Sequence, residues 1–386
     1  MLNWTRPALK TTDERKDFLD LVALCGLPPD SYRVHSDDER TCVEADLDDP
    51  GERSRAEQAL NRAYERAVMD RPAGPTSLLD LLDVPAPGRA SADGEFIAIR
   101  PGLWAGHAPV AELLRRLDAL FLRAAQDQGA EEYALPHLIP WDSLRRAGYV
   151  AAFPQHLTAC YSVRPDLDAV EQLGEAVTPA AAEEILEPQG LCLSPAACYH
   201  VYPLFAGTSV DPGLLITAMA HCSRRELAWT PLPIRFHSFR MRELIFIGSR
   251  EQTLAFRDRQ LERCQDLMRA IGLPCRIVPA TDPFFTSSRD VRLHLQNSLD
   301  LKHEIVARDA QGNDFAIGSA NFHFDHIGRA FDLTADGKPA QSSCMAFGLD
   351  RWAHWILSHC GPNPANWPQP LREPLRPSDL DTIMAD

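Results

Sequence analysis

The chain has 386 residues, 45% hydrophobic and 24% charged, with a formal net charge of -15. That length suits one large domain or a large domain plus a small one, and the ordinary composition excludes wholesale disorder. The acidic balance argues against broad, nonspecific attraction to nucleic acid or an anionic membrane, while leaving room for a local basic patch.

Residues 1–20 carry Arg6, Lys10 and the charged run Asp13-Glu14-Arg15-Lys16-Asp17, with no apolar signal region. The mostly apolar run Leu214 to Ala220 is far shorter than the roughly 18 residues a membrane span needs. A cytoplasmic protein with no membrane segment is expected. Residues 1–70 are polar and acidic, with helical patterns around Phe18-Leu19-Val22-Cys25 and from Arg55 to Met69. Turn formers at Arg71-Pro72-Ala73-Gly74-Pro75-Thr76 and Pro85-Ala86-Pro87-Gly88 read as a linker. The predicted division is an N-terminal appendage and linker over 1–90 and a larger domain over 91–386.

From Ala108 a helix is marked by Val110, Leu113, Leu114, Leu117, Phe121 and Ala124, steps of three and four that put one face on a core. Gly129 ends it, and residues 131–136 start an extended segment. Residues 164–188 read as a solvated helical insertion. Strands are expected at Leu215 to Ala220 and Phe239 to Ile247, joined as a hairpin by a long loop through Thr230-Pro231-Leu232-Pro233. Ser249 with Gln252 gives a capping-box signal for a helix running to Ile271 and stopped by Gly272. Then follow a strand from Cys275 to Val278, a helical stretch near 289–300, and a hairpin turning at Gln311-Gly312-Asn313. A last helix from Gly348 buries Leu349, Trp352, Ala353, Ile356 and Leu357. Successive strands with helices between and after them predict an antiparallel α+β domain.

The ten cysteines form no Cys-x-x-Cys pair, so they are buried residues or metal ligands gathered from distant segments. No phosphate-binding glycine loop and no His-Glu-x-x-His occurs. The expected hairpin instead carries Arg224, Arg225 and Glu226 on one arm and Arg235, Arg240, Arg242 and Glu243 on the other. Guanidinium groups bind phosphate oxygens in planar, bidentate fashion, so such a hairpin could hold a triphosphate. A solvated strand with cross-strand ion pairs fits the same composition.

These residues follow a known order. Cys222-Ser223-Arg224-Arg225-Glu226 resembles the first strand of motif 2 in class II aminoacyl-tRNA synthetases, Cys-Phe-Arg-x-Glu in the seryl branch. Arg235-Phe236-His237-Ser238-Phe239-Arg240-Met241-Arg242-Glu243 resembles the returning strand, Gly348-Leu349-Asp350-Arg351-Trp352 motif 3, and Gly129 to Pro136 motif 1. Within the class the chain is similar to the zinc-dependent amino acid:[carrier protein] ligases, relatives of atypical archaeal seryl-tRNA synthetases. The likeness lies in Leu193-Ser194-Pro195-Ala196-Ala197-Cys198-Tyr199-His200, Glu243, Ser342-Ser343-Cys344-Met345-Ala346 and Ser319-Ala320-Asn321-Phe322-His323-Phe324-Asp325-His326.

The resemblance implies a class II synthetase catalytic domain, homodimeric, with zinc held by Cys198, Glu243 and Cys344. It implies an enzyme that activates a small amino acid, glycine or alanine, as an aminoacyl-adenylate and transfers it to the phosphopantetheine thiol of a carrier protein. Arg224 is then expected at the α-phosphate and substrate carboxylate, Arg351 at the γ-phosphate of ATP, and Arg235 at a further phosphate. Phe239 stacks on adenine, Glu226 reads its amino group, and Ser319 and Asn321 meet the amino acid. The magnesium acid usual in the class is missing from Asp314-Phe315-Ala316-Ile317-Gly318, so Glu304 takes that role, or Asp314 after a register shift. Arg240 and Arg242 are expected in surface ion pairs. His323, Asp325 and His326 are expected in hydrogen-bonded structure around the site. The alternatives are a seryl-tRNA synthetase and a non-catalytic paralogue. No tRNA is expected as partner, because residues 1–90 lack a basic helical hairpin. Carrier proteins of this kind are acidic, so docking calls for a local patch, for which Arg115-Arg116 and Arg145-Arg146 are candidates.

Overall fold

The computed structural model describes residues 1–28, 31–68, 77–86, 95–175, 178–226, 230–280 and 302–372. The chain divides into one unit of Met1–Ala73 with Glu226–Thr230 and another of Gly74–Arg225 with Pro231–Asp386.

The first unit contains β1 (Leu2–Pro7), α1 (Thr12–Val22), β2 (Tyr32–Ser36), β3 (Arg40–Ala45) and α2 (Pro50–Ala67). The three strands form an antiparallel sheet in the order β1–β3–β2. Thr11 caps α1 in a capping box with Glu14, and Asp49 accepts the Glu52 N–H at the start of α2. Alternation buries Leu2 and Trp4 of β1, and Trp4 stacks on Phe18 of α1 at 5.4 Å between ring centroids. The two helices coincide with the two expected patterns. The three strands were not expected, because each is only five or six residues long and carries few apolar positions.

The second unit begins with β4 (Leu79–Asp80), β5 (Phe96–Arg100), β6 (Leu103–Gly106), α3 (Ala108–Gln126), β7 (Glu131–Ala134), β8 (Leu138–Pro140), α4 (Trp141–Arg146), α5 (Tyr149–Ala152) and β9 (Ala159–Val163). It continues through α6 (Leu167–Glu175), α7 (Pro179–Ala182), β10 (Leu186–Leu193), α8 (Cys198–Leu204), β11 (Leu214–Ser223), β12 (Ser238–Gly248), α9 (Arg250–Ile271) and β13 (Cys275–Pro279). Then come β14 (Lys302–Arg308), β15 (Asp314–Phe322), α10 (His326–Phe331), β16 (Thr334–Ala335), β17 (Lys338–Pro339), β18 (Gln341–Gly348) and α11 (Leu349–Cys360). The helix expected near 289–300 lies outside the described residues. The expected insertion at 164–188 is only partly helical, since α6 and α7 run into β10, which pairs with β8 and β9 in a three-stranded sheet.

An eight-stranded sheet, in the order β4–β13–β14–β15–β18–β12–β11–β7, organises this unit, and only the β7–β11 pairing is parallel. One face, here the back, is covered by α3, α9 and α11, whose apolar stripes pack on Leu244, Ile317, Ala320 and Met345. The capping box of Ser249 and Gln252 starts α9, and Gly272 ends it in the left-handed conformation. The front face carries Ala218, Ala220, Met241, Ile245 and Cys344 against Ala196–Tyr202 and α10. A bulge between Ile305 and Val306 reverses the alternation of β15, so Ile317 and Ala320 both reach the back. Gly318 is required beside it, because a Cβ there would lie 2.7 Å from the Ala346 carbonyl oxygen. Among the described residues no helix is long and apolar enough to cross a membrane.

Candidate metal and nucleotide site

Alternation sorts β12 into two faces, with Phe239, Met241, Glu243 and Ile245 at the front and Arg240 and Arg242 at the back. Cross-strand register then builds the site. Ala218, Glu243, Ala346, Ser319 and Glu304 lie opposite one another in one row across β11, β12, β18, β15 and β14. Ile216, Ile245, Cys344, Asn321 and Lys302 form the next row. Cys198, at the start of α8, closes over them. The ligand atoms of Cys198, Glu243 and Cys344 lie within 4.8 Å of one another, all three residues are buried, and this is the one such trio among the described residues.

The trio is electrostatically unbalanced without a cation. Glu243 Oε1 accepts the Ala197 N–H at 3.1 Å, whereas Oε2 is buried with no nitrogen or hydroxyl donor, leaving the Cys198 thiol as the carboxylate's other neighbour. Burial, and the Cys344 sulfur beside it, push the Glu243 carboxyl up to about 8. A hydrogen bond between the two sulfurs holds Cys344 well below the ordinary thiol range and drives Cys198 well above it. Two sulfurs and a buried carboxylate oxygen are a donor set suited to a divalent metal, which would replace those protons.

The Arg224 guanidinium lies 5.4 Å from the centroid of the Phe239 ring, and its Nε donates to the Pro195 carbonyl at 3.0 Å. It thereby ties the segment leading into Cys198 to the β11–β12 hairpin, and it covers one face of the ring expected to stack on adenine. Arg351, in the first turn of α11, donates from Nη1 to the Ala316 carbonyl of β15 at 2.9 Å. Arg235 is half-buried in the β11–β12 connection. Glu226 groups with Met1–Ala73 and not with the sheet that carries Arg224. Asn321 Nδ2 reaches Ser319 Oγ at 3.1 Å and Cys344 Sγ at 3.7 Å. Lys302, missed in the sequence, holds Glu304 Oε1 at 2.9 Å. Its two-residue spacing from Glu304 on a strand was the available signal. Asp314, the other magnesium candidate, is taken up by Arg308 at 2.7 Å and Arg276 at 3.3 Å.

Of the two arginines expected in surface ion pairs, Arg240 keeps 40% exposure and Arg242 departs from expectation. Arg242 is not at the surface: its side chain is 3% exposed and makes a two-pronged ion pair with Asp118 of α3 at 2.8 Å plus a contact to Glu132 of β7 at 3.0 Å. Arg240 pairs with the buried Asp350 at 2.7 Å, fastening the start of α11 to β12. Both follow from the faces of β12, because residues flanking an inward Glu243 must point to the opposite side. His323, Asp325 and His326 do not converge on one point, and only His323 also reaches the Cys344 sulfur. Nδ1 of His323 meets Ser342 Oγ at 3.0 Å, Asp325 pairs with Arg329 at 2.8 Å, and His326 Nε2 donates to the Ala147 carbonyl at 3.0 Å.

The antiparallel sheet with its arginine hairpin and helix-borne Arg351 is the class II aminoacyl-tRNA synthetase fold. M. kandleri SerRS, solved in complex with A. aeolicus tRNASec, superposes with a TM-score of 0.68 at 20% identity, over 98% of this chain and 77% of that one. The cytoplasmic serine-tRNA ligase of Naegleria fowleri, solved with AMP, gives 0.58 at 10% identity, over 83% of this chain and 71% of that one. No family model matches the sequence. In sequence, amino acid--[acyl-carrier-protein] ligase 2 of Bradyrhizobium diazoefficiens is 33% identical over 331 residues, covering 83% of this chain and 95% of that protein. Ligase 1 of the same organism is 32% identical over 282 residues, covering 71% and 85%. The chain belongs to the amino acid--[acyl-carrier-protein] ligases. The type-2 serine--tRNA ligase of Methanopyrus kandleri is a more distant relative, 25% identical over 296 residues, and the matched region spans 56% of that longer protein.

Proposed function

We propose that the chain joins glycine or alanine to ATP as an aminoacyl-adenylate and then transfers the aminoacyl group to the phosphopantetheine thiol of a carrier protein. The observation that carries this reading is the buried Cys198–Glu243–Cys344 trio, set in adjoining rows with Ser319 and Asn321, in a member of this ligase family. Cys198, Glu243 and Cys344 would hold zinc, which would supply a Lewis acid for recognition of the substrate amine.

The residues of the chain do the rest. Ser319 and Asn321 line the amino-acid pocket. Arg224 holds the substrate carboxylate against the α-phosphate and stabilises charge as the carboxylate oxygen attacks phosphorus and pyrophosphate leaves. Arg351 and Arg235 hold the remaining phosphates, and Phe239 stacks on adenine. Glu304, paired with Lys302 at 2.9 Å, is the carboxylate that would hold magnesium. In the second step the carrier's sulfur attacks the acyl carbon and AMP leaves with the bonding electron pair, so no protein nucleophile is required. A homodimer formed through the Gly129 to Pro136 segment, a functional division near residue 90 and a cytoplasmic setting complete the proposal.

The test runs ATP–pyrophosphate exchange with glycine, alanine and serine, then transfer of each labelled amino acid to holo-carrier protein and to bulk tRNA in parallel. Glycine- or alanine-dependent exchange with label on the carrier is expected. Label on tRNA would support the synthetase reading instead, and absence of exchange with every amino acid would sink both. Zinc is checked separately, by metal content of the purified protein and loss of activity to a chelator.

A further inference from the structure

We propose that Asn321 is a positioning residue for the metal site, its side-chain amide donating a hydrogen bond to the Cys344 sulfur and fixing that ligand's direction and charge. The inference deepens the metal reading above and rests on it.

Asn321 and Cys344 are direct cross-strand partners on β15 and β18, in the row beside Glu243. Nδ2 of Asn321 lies 3.7 Å from Cys344 Sγ and 3.1 Å from Ser319 Oγ. The backbone behind it is fixed as well, since Ser343 Oγ donates to the Asn321 carbonyl at 2.7 Å. A metal-binding thiolate has no proton to give, so the amide must turn its NH₂ end toward sulfur. The two N–H bonds of that group are then divided between Cys344 and Ser319. The amide carbonyl faces away from Cys344, leaving an acceptor for the substrate. One side chain thus links the metal ligand to the amino-acid pocket.

A hydrogen bond to a thiolate is charge-assisted, and it lowers the energy of the sulfur lone pair that the metal uses. Outer partners that orient ligands in this way are typically worth about 10–100-fold in metal affinity. Asn321→Asp keeps the shape and replaces the donor with a repelling acceptor. Asn321→Leu keeps approximate size and removes the polar group altogether. Ser319→Ala leaves Asn321 in place and frees only its second anchor.

The experiment measures zinc affinity of full-length wild type and the three variants by competition with a chromophoric chelator, alongside the absorption of the cobalt-substituted proteins. Expected are about a 10–100-fold loss for Asn321→Asp and Asn321→Leu, a smaller loss for Ser319→Ala, and a sulfur-to-cobalt charge-transfer band moved to longer wavelength in both Asn321 variants. Thermal melting of the metal-free proteins identifies any variant that does not fold, and the others carry the comparison. Wild-type affinity and spectrum in both Asn321 variants would overturn the proposal while leaving the metal site intact. Loss in the Asp variant alone would also overturn it, because repulsion and not a missing donor would be the cause. A wild-type chain that takes up neither zinc nor cobalt would overturn the metal reading and this inference together.

Discussion

Arg224, just past the end of β11, and Arg242 of β12 carry the same charge and meet opposite surroundings. Arg224 rests on Phe239 at the front of the sheet with Nε on the Pro195 carbonyl, where its positive charge acts on Glu243 of the proposed metal site. Arg242 spends its donors at the back, on Asp118 and Glu132. Removing Arg224 should therefore cost chemistry: Arg224→Ala is expected to lower ATP–pyrophosphate exchange about 10²–10³-fold, the usual effect of losing one preorganised donor to transition-state charge. Arg224→Lys should recover only part of it, since a point charge cannot repeat a planar contact. Removing Arg242 should cost stability instead. Arg242→Ala leaves Asp118 and Glu132 without their cation, and because those carboxylates keep 28% and 42% of their exposure, denaturant unfolding should show a loss of about 1–3 kcal/mol.

At the scale of elements, the β14–β15 hairpin decides whether Glu304, Ser319 and Asn321 arrive in line. Its turn is held by Asp309, which is buried and accepts from the Gln311 and Asn313 backbone N–H groups, the Asn313 side chain and, at 3.4 Å, His354 of α11. Burial raises the Asp309 pKa, but the hydrogen bonds from His354 and Asn313 outweigh it and bring it down to about 2 from 3.8. A depressed carboxylate stabilises the fold above its unfolded pKa and loses that contribution as pH falls through the folded value. Asp309→Asn should thus be less stable than wild type by on the order of 2 kcal/mol at neutral pH. The gap should close between about pH 4 and pH 2, which urea titrations across that window would show. How far this architecture could be read from sequence varied by element. α3, α9, α11 and the β11–β12 hairpin carried long periodic runs, a capping box or a glycine stop. β5, β6, β8 and β9 are three to five residues long, too short for periodicity to register. Cys198, Glu243 and Cys344 could be grouped only through resemblance, because they come from three elements and no local spacing joins them. The placement of Arg240 and Arg242 on the back of the sheet, by contrast, was available from alternation around Glu243.

For the molecule as a whole, the net charge of -15 would set the terms on which the proposed partner, an acidic carrier, approaches. The arginine pairs expected to attract it are already matched with carboxylates. Arg115 and Arg116 share Glu112 at 2.6 and 2.7 Å, Arg145 pairs with Asp142 at 2.5 Å, and Arg146 with Asp332 at 2.9 Å. Those surfaces therefore carry little of the positive field that would steer a negative partner, while apolar groups such as Tyr161 and Leu167 stand 59% and 80% exposed. Two like-charged proteins repel at long range, and the repulsion is screened over about 10 Å at 0.1 M ionic strength. Docking through apolar contact then improves with salt, whereas docking through a basic patch weakens with it. The expected outcome is a KM for holo-carrier protein that falls as ionic strength rises from about 0.01 to 0.15 M, the range over which the screening length shortens from about 30 to 8 Å. Amino-acid-dependent pyrophosphate exchange, measured in the same buffers, removes any salt effect on adenylation from the comparison. A KM that instead rises with salt would locate a basic docking surface that the paired arginines do not supply.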